Sequence, residues 1–269
     1  MATGGGLAST VMQSPPVDSD LLEAAETVAR EAAELTLRWF RSDELGLARK
    51  DDGSPVTAAD RAAEDHIRAR LRALFPDDAI VGEERPAITG TSGRRWIIDP
   101  IDGTESFVRG VPLYSSLLAM VDAHGPAIGT VLVPALGQGA VAGRGRGCRW
   151  EGARLRVNDT DDLDGACLST SSFDRPWWPE DALLAVSGRE GLRTRAWGDG
   201  YGYLLVAMGR IEAMTDPDLH EWDIAPMLTV IPEAGGRITR WDGSTGLAGG
   251  PWLASNGRVH DELLALLRD

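Results

Sequence analysis

The stretch Trp96-Ile97-Ile98-Asp99-Pro100-Ile101-Asp102-Gly103-Thr104 constrains this chain more than any other. Its apolar start predicts a buried strand over 95–98, and the run ends in two carboxylates three residues apart. Pro100 fixes one backbone angle between them. Gly103 permits a tight turn or a close approach of backbone to a ligand. Carboxylates at the C-terminal end of a strand stand where open α/β sheets bind ligands. Two of them beside a turn carbonyl suit a hard divalent cation such as Mg²⁺. The plain alternative is an acidic turn, because Asp, Pro and Gly are common turn formers.

Two further segments bear on that choice. Gly82-Glu83-Glu84 follows the apolar Ala79-Ile80-Val81, and Glu221-Trp222-Asp223-Ile224-Ala225-Pro226 lies near the C-terminus. Taken alone, Glu83 reads as a solvated acid and Asp223 as a helix N-cap. In this order, the three segments resemble the signature of the inositol monophosphatase family of metal-dependent phosphomonoesterases, and the likeness runs from about residue 21 to the end of the chain. It implies a layered αβαβα sandwich and a Mg²⁺ cofactor. Glu83, Asp99 and the carbonyl of Ile101 would hold a first ion, and Asp99, Asp102 and Asp223 a second. Asp60 and Thr104 would orient a water nucleophile near Glu83, with Glu83, Thr104 and Asp60 as the catalytic set. The backbone amides of Gly103 and Thr104 would bind the phosphate. The likeness also implies a homodimer. Two departures stand out: Ser106 where the family often has Asn, and Pro226 where it often has Ala or Gly.

Composition limits the alternatives. The formal net charge is −14, which argues against a nucleic-acid partner and suits an acidic, cation-recruiting cleft. No apolar run reaches membrane-spanning length, so no membrane association is expected. Cys148 and Cys167 form no disulfide framework or metal spacing. Residues 1–18 read as a disordered tail without a secretion pattern, and the cytoplasm is the default location. The four histidines, His66, His124, His220 and His260, have no ligand spacing and read as surface residues.

Along the chain, apolar spacing predicts a helix over 19–42. A strand and turn follow over 45–55. Thr57 and Asp60 have the spacing of a capping box for a helix running to about Leu74. Strands are expected at 79–81, 95–98, 113–121, 127–134, 139–142 and 148–150, an α+β half. After a turn-rich boundary near 158–163, strands at 166–170, 194–197, 211–214, 237–239 and 252–254 alternate with helices at 179–187, 201–208, 222–234 and 259–267. This alternation predicts an α/β half with helices on both faces of a sheet. Residues 19–160 would carry most metal ligands, and residues 161–269 would complete the metal and substrate site.

One segment bears on the substrate. Trp197-Gly198-Asp199-Gly200-Tyr201 carries an acid where inositol phosphatases tend to have small residues, and it resembles the histidinol-phosphatase branch of the family. Asp216-Pro217 and Val108-Arg109-Gly110-Val111-Pro112 share that likeness. A carboxylate at Asp199 suits a cationic amine, although Asp199 could instead cap the following helix. L-histidinol phosphate is therefore the expected substrate, bound by Gly103, Thr104, Asp199 and Asp223. An inositol-1-monophosphatase or a broad small-molecule phosphatase is the alternative. A regulatory protein on a vestigial fold is the non-enzyme alternative, and the complete set Glu83, Asp99, Asp102, Thr104 and Asp223 argues against it.

Overall fold

A computed structural model describes residues 14–50, 53–174 and 178–268. The described end of the expected disordered tail is ordered instead: Val17 is buried, its N–H donates to the Arg144 carbonyl, and its carbonyl accepts from Arg146. Most of the expected disordered tail, residues 1–13, lies outside the described residues, as do Asp51 and Asp52 of the expected turn.

Helix α1 spans Ser19–Thr36, where the Asp18 carboxylate accepts from the Asp20 and Leu21 amides at its start. It ends earlier than the apolar stripe suggests, in a turn that takes Arg41 to φ 62°. The hairpin β1 (Ala48–Arg49) and β2 (Pro55–Val56) leads into α2 (Ala58–Leu74). The Thr57–Asp60 capping box is fully formed. Then come β3 (Ala79–Gly82), β4 (Arg95–Asp102), α3 (Thr104–Val108), β5 (Ser115–Asp122), β6 (Gly125–Val133), β7 (Gln138–Gly143), β8 (Gly147–Trp150) and β9 (Ala153–Arg154). The rest of the chain supplies β10 (Cys167–Ser169), α4 (Glu180–Gly188), β11 (Arg193–Arg195), α5 (Asp199–Ala207), β12 (Ala213–Leu219), α6 (Glu221–Ile224), α7 (Met227–Glu233), β13 (Arg237–Arg240), β14 (Gly250–Ser255) and α8 (His260–Arg268).

Strands β3 to β9 form a seven-stranded sheet in sequence order, antiparallel except for the β3–β4 pair. The second sheet has the order β11-β10-β12-β14-β13 and is parallel only around β10. Helices α1 and α2 cover one face of the first sheet, and α5 and α7 contact both sheets from between them. Helices α4 and α8 pair on the far side of the second sheet. The result is the expected αβαβα layering, with one apolar core under each outer pair of helices and a third around the helices between the sheets.

Two expectations need correction. The helix expected over 222–234 is two helices, because Pro226 has no N–H with which to continue the hydrogen-bond ladder. His260 is fully buried rather than superficial. Its two ring nitrogens lie 2.9 Å from the hydroxyls of Ser255 and Thr239. Burial, then the positive charges of Arg237 and Arg268, lowers its pKa to about 4 against the opposing pull of Asp261.

Candidate active site

Strand β4 runs past Ile98 through the whole acidic motif, and its pairing with β5 slips on the way. Asp99 stands opposite Leu117, whereas Asp102 stands opposite Ser115. Three steps on one strand against two on the other make a bulge. In a regular strand, residues three apart point to opposite faces; the extra residue brings both carboxylates to one side. Pro100 sits within this bulge, a position where a strand tolerates proline. Gly103 follows at φ 82°, and α3 begins at Thr104.

Asp223 reaches the same point from α6. Carboxylate oxygens of Asp99, Asp102 and Asp223 all lie within 4.8 Å of one another. Asp223 also accepts the His220 N–H at 2.7 Å, so it secures its own helix start while facing the cavity. Asp102 accepts from Ser115 Oγ at 2.7 Å and from the Gly200 N–H at 2.5 Å. Asp99 Oδ1 accepts the Ile101 N–H at 3.1 Å.

Glu83 lies just past β3, which pairs with β4, and its N–H donates to the Ile98 carbonyl. It lines a cavity of about 360 Å³ with Asp99, Asp102, Asp223 and Thr104. Asp60, on the first turn of α2, is 1 % exposed. It accepts from the Thr57 N–H and hydroxyl, and Thr104 Oγ1 lies 3.4 Å from its other oxygen and 3.1 Å from the Ile101 carbonyl. The nine sequence-derived residues Asp60, Glu83, Asp99, Ile101, Asp102, Gly103, Thr104, Asp199 and Asp223 therefore converge on one cavity system.

Sequence reasoning missed Lys50. Its ammonium lies 2.6 Å from Glu83 and 2.6 Å from Glu84, inside the acidic cavity. Burial works to lower its pKa, but the two carboxylates more than offset that and carry it up. A detectable signal was present, because Lys50 is the one lysine in the sequence.

A second cavity, about 290 Å³, adjoins the first and shares Asp102, His220 and Asp223 with it. Asp199, Asp216, Asp218, Ser171 and Tyr203 also line it, and its described lining contains no Lys or Arg. Asp199 does not cap α5: Gly198 takes that position without a side-chain bond, and Asp199 itself adopts φ 55°. Its N–H donates to Ser171 Oγ, and its carboxylate lies against Gly103, where an added Cβ would come within 2.5 Å of Oδ2. Asp216 sits on β12 in a second Asp-Pro bulge, with Asp216 opposite Trp252 and Leu219 opposite Gly250. It accepts from Thr170, Ser171 and Tyr203. His220 is exposed and stacks on Trp222 at 4.8 Å between ring centroids.

The cavity walls carry more carboxylates than a neutral interior can leave ionised. Burial, then repulsion from Asp199, pushes Asp102 up to about 8. Burial, then Asp102, pushes Asp223 up to about 7. Burial, then Asp216 and Asp223, pushes Asp199 up to about 7. Asp99 is raised well above the carboxylate range by burial, then by Glu83, Asp102 and Asp223. Converging oxygens that repel one another in this way fit a divalent cation.

The inositol monophosphatase family profile matches residues 18–269. The chain belongs to that family, and it is a phosphoric monoester hydrolase. Its relatives narrow the class. The histidinol-phosphatase of Mycobacterium tuberculosis is 42% identical over 256 residues, covering 92% of this chain and 98% of that one. The histidinol-phosphatase of Streptomyces coelicolor is 39% identical over 264 residues, covering 92% and 97%. Among solved structures, the Thermotoga maritima IMPase superposes with a TM-score of 0.79 at 32% identity, covering 92% of this chain and 96% of that one. The family is generally Mg²⁺-dependent.

Proposed function

We propose that this chain hydrolyses L-histidinol phosphate to L-histidinol and phosphate, as a step of histidine biosynthesis, with Mg²⁺ as cofactor. The observation that carries the substrate is the second cavity. Its wall of Asp199, Asp216 and Asp218 has no Lys or Arg among the described residues, so it favours a leaving group that brings its own positive charge. The names of the two histidinol-phosphatase relatives support the same reading.

The donor set suits Mg²⁺ because it is all oxygen: Glu83, Asp99, the Ile101 carbonyl, Asp102 and Asp223 would hold it. Bound there, Mg²⁺ would polarise the phosphoryl group and lower the pKa of a bound water. Thr104 and Asp60 would orient the attacking water. The Thr104 hydroxyl lies within reach of Asp60, so it can accept the water's hydrogen bond while donating its own toward the carboxylate. Burial raises the pKa of Asp60, with the Thr57 bonds opposing it, which makes Asp60 a better proton acceptor than an ordinary aspartate. The amides of Gly103 and Thr104, at the start of α3, bind phosphate oxygens. Asp223 and Asp199 face the leaving group, and Asp199 pairs with its ammonium.

A phosphate-release screen over histidinol phosphate, inositol 1-phosphate, sugar phosphates and nucleotide bisphosphates tests this, run with Mg²⁺ and with excess EDTA. Histidinol phosphate should give the highest kcat/KM, and chelation should abolish turnover. A preference for inositol phosphate would overturn the substrate, and full activity in EDTA would overturn the metal.

We also infer a cytoplasmic homodimer. Among the described residues, no helix is long and apolar enough to cross a membrane. A third cavity of about 510 Å³ supports self-association: Leu113, Trp197, Tyr201, Leu205, Met208 and Ile211 line it, and Trp197 is 39 % exposed. Light scattering of the wild type and of Trp197→Glu tests this; a monomeric wild type would refute it.

A further inference from the structure

The catalytic reading leaves one buried ion pair unused. Glu64 and Arg68 lie on α2, one and two turns beyond Asp60, and spacing by four keeps all three on one helix face. Glu64 is 0 % exposed and Arg68 is 7 % exposed. Arg68 Nε donates to Glu64 Oε1 at 2.6 Å. Burying such a pair requires further hydrogen bonds on both partners, and every one of these goes to the segment that carries Glu83. Glu64 Oε2 accepts the Glu84 N–H at 2.7 Å. The two terminal nitrogens of Arg68 donate to the carbonyls of Pro86 at 3.0 Å and Arg85 at 2.9 Å. Gly82 packs so closely on this pair that an added Cβ would stand 2.3 Å from Glu64 Oε1. On its other side, the Glu83 N–H is bonded to β4 at Ile98, next to Asp99.

We infer that Glu64 and Arg68 are positioning residues: a buried latch that fixes the backbone of residues 82–86 and so sets the Glu83 carboxylate against Asp99. The latch also couples two parts of the site. Asp60 rides on the helix that holds the latch, and Glu83 rides on the loop that the latch holds. One rigid helix therefore sets the spacing between the two acids. Lys50 pairs with Glu83 and Glu84 from the cavity side, so the loop is gripped from both sides, and only the inner grip stays when a cation displaces the ammonium.

Outer contacts of this kind typically change metal affinity by about 10- to 100-fold when removed. The test uses Tb³⁺ alone with the full chain, its emission sensitised by Trp222, which lines the cavity. Arg68→Met should weaken Tb³⁺ binding by about 10- to 100-fold. It should also raise the Mg²⁺ concentration needed for turnover while largely keeping kcat at saturating Mg²⁺. Arg68→Lys restores the pairing with Glu64 but cannot reach both carbonyls, and should recover part of the affinity. Glu64→Gln keeps an acceptor for the Glu84 N–H and should lose less than Arg68→Met. Arg70→Met, which breaks an exposed pair with Glu31 on the same helix, should leave Tb³⁺ affinity unchanged whatever it does to the melting temperature. If Arg68→Met does not fold, Arg68→Lys and Glu64→Gln carry the test. Wild-type affinity in folded latch variants, or equal weakening in Arg70→Met, would overturn the latch. The inference rests on Glu83 as a cation ligand: a wild type that binds no Tb³⁺ would overturn that assignment and the latch together, whereas unchanged variants overturn the latch alone.

Discussion

Replacing Asp199 by Asn tests the substrate reading most directly, because the structure lets the substitution keep the local backbone. Asp199 adopts φ 55°, where Asn and Asp are tolerated far better than other non-glycine residues. Asn therefore keeps the backbone, whereas Ala would add strain. The side chain caps no helix, so no cap is lost. Only the charge beside Gly103 is removed. A hydrogen bond between charged partners contributes about 1.5–3 kcal/mol, which at about 1.4 kcal/mol per tenfold is a factor of roughly 10 to 150. The expected result is a loss of that size in kcat/KM on L-histidinol phosphate, with little change on inositol 1-phosphate, which has no ammonium to pair. The assay is a pair of specificity constants for each enzyme at saturating Mg²⁺. Equal losses on both substrates, or none on either, would refute the pairing.

Other outcomes follow from the acidic cavity. Asp99→Asn should abolish turnover yet leave the metal-free melting temperature unchanged or higher, since it relieves repulsion at a carboxylate raised well above its usual range; retained activity would remove Asp99 from the bridging role. Thr104→Ala should lower kcat far more than it raises KM, because orienting a water matters mainly in the transition state; a change in KM alone would make Thr104 a binding residue. The pH dependence of stability should also be unusual. Asp102, Asp199 and Asp223 hold protons more tightly folded, at about 8, 7 and 7, than unfolded, near 3.8. Their contribution to stability is complete below about pH 4 and lost as pH rises through 7 to 8. Melting temperatures of the EDTA-treated chain should fall across that window, and Mg²⁺ should flatten the decline. A metal-free chain whose stability rises from pH 5 to 8 would contradict the assigned burial.

The central site was legible because its residues cluster in sequence. Trp96 to Thr104 supplies both bulge carboxylates and the start of α3 within nine residues. The strand itself was underestimated: Pro100 reads as a terminator, yet at a bulge a strand absorbs it and continues to Asp102. The helix after Trp222 was overestimated, since apolar spacing runs straight across the Pro226 break. The roles of Lys50 and the latch pair were hard to read for another reason. Lys50 reaches Glu83 from 33 residues away, and Glu64 meets the loop at Glu84 from 20 away, through tertiary contact. His260 has the same explanation: a lone histidine carries no sign of the two hydroxyls that the fold presents to it.

Lys50 also makes this protein unusual to handle. It is the one lysine among 269 residues, and its ammonium is committed to Glu83 and Glu84 inside the acidic cavity. Reagents that acylate or reductively alkylate side-chain amines therefore have a single target in this chain, and that target is the entrance to the chemistry rather than an indifferent surface. Coupling through lysine to a resin, a dye or a crosslinker would inactivate the molecules it succeeds in tagging. The ion pairs keep the amine protonated and poorly nucleophilic, so such reagents would work slowly on the metal-free chain. Any divalent ion that expels the ammonium from its carboxylates would deprotect it, and the rate of tagging would then count how many sites are filled.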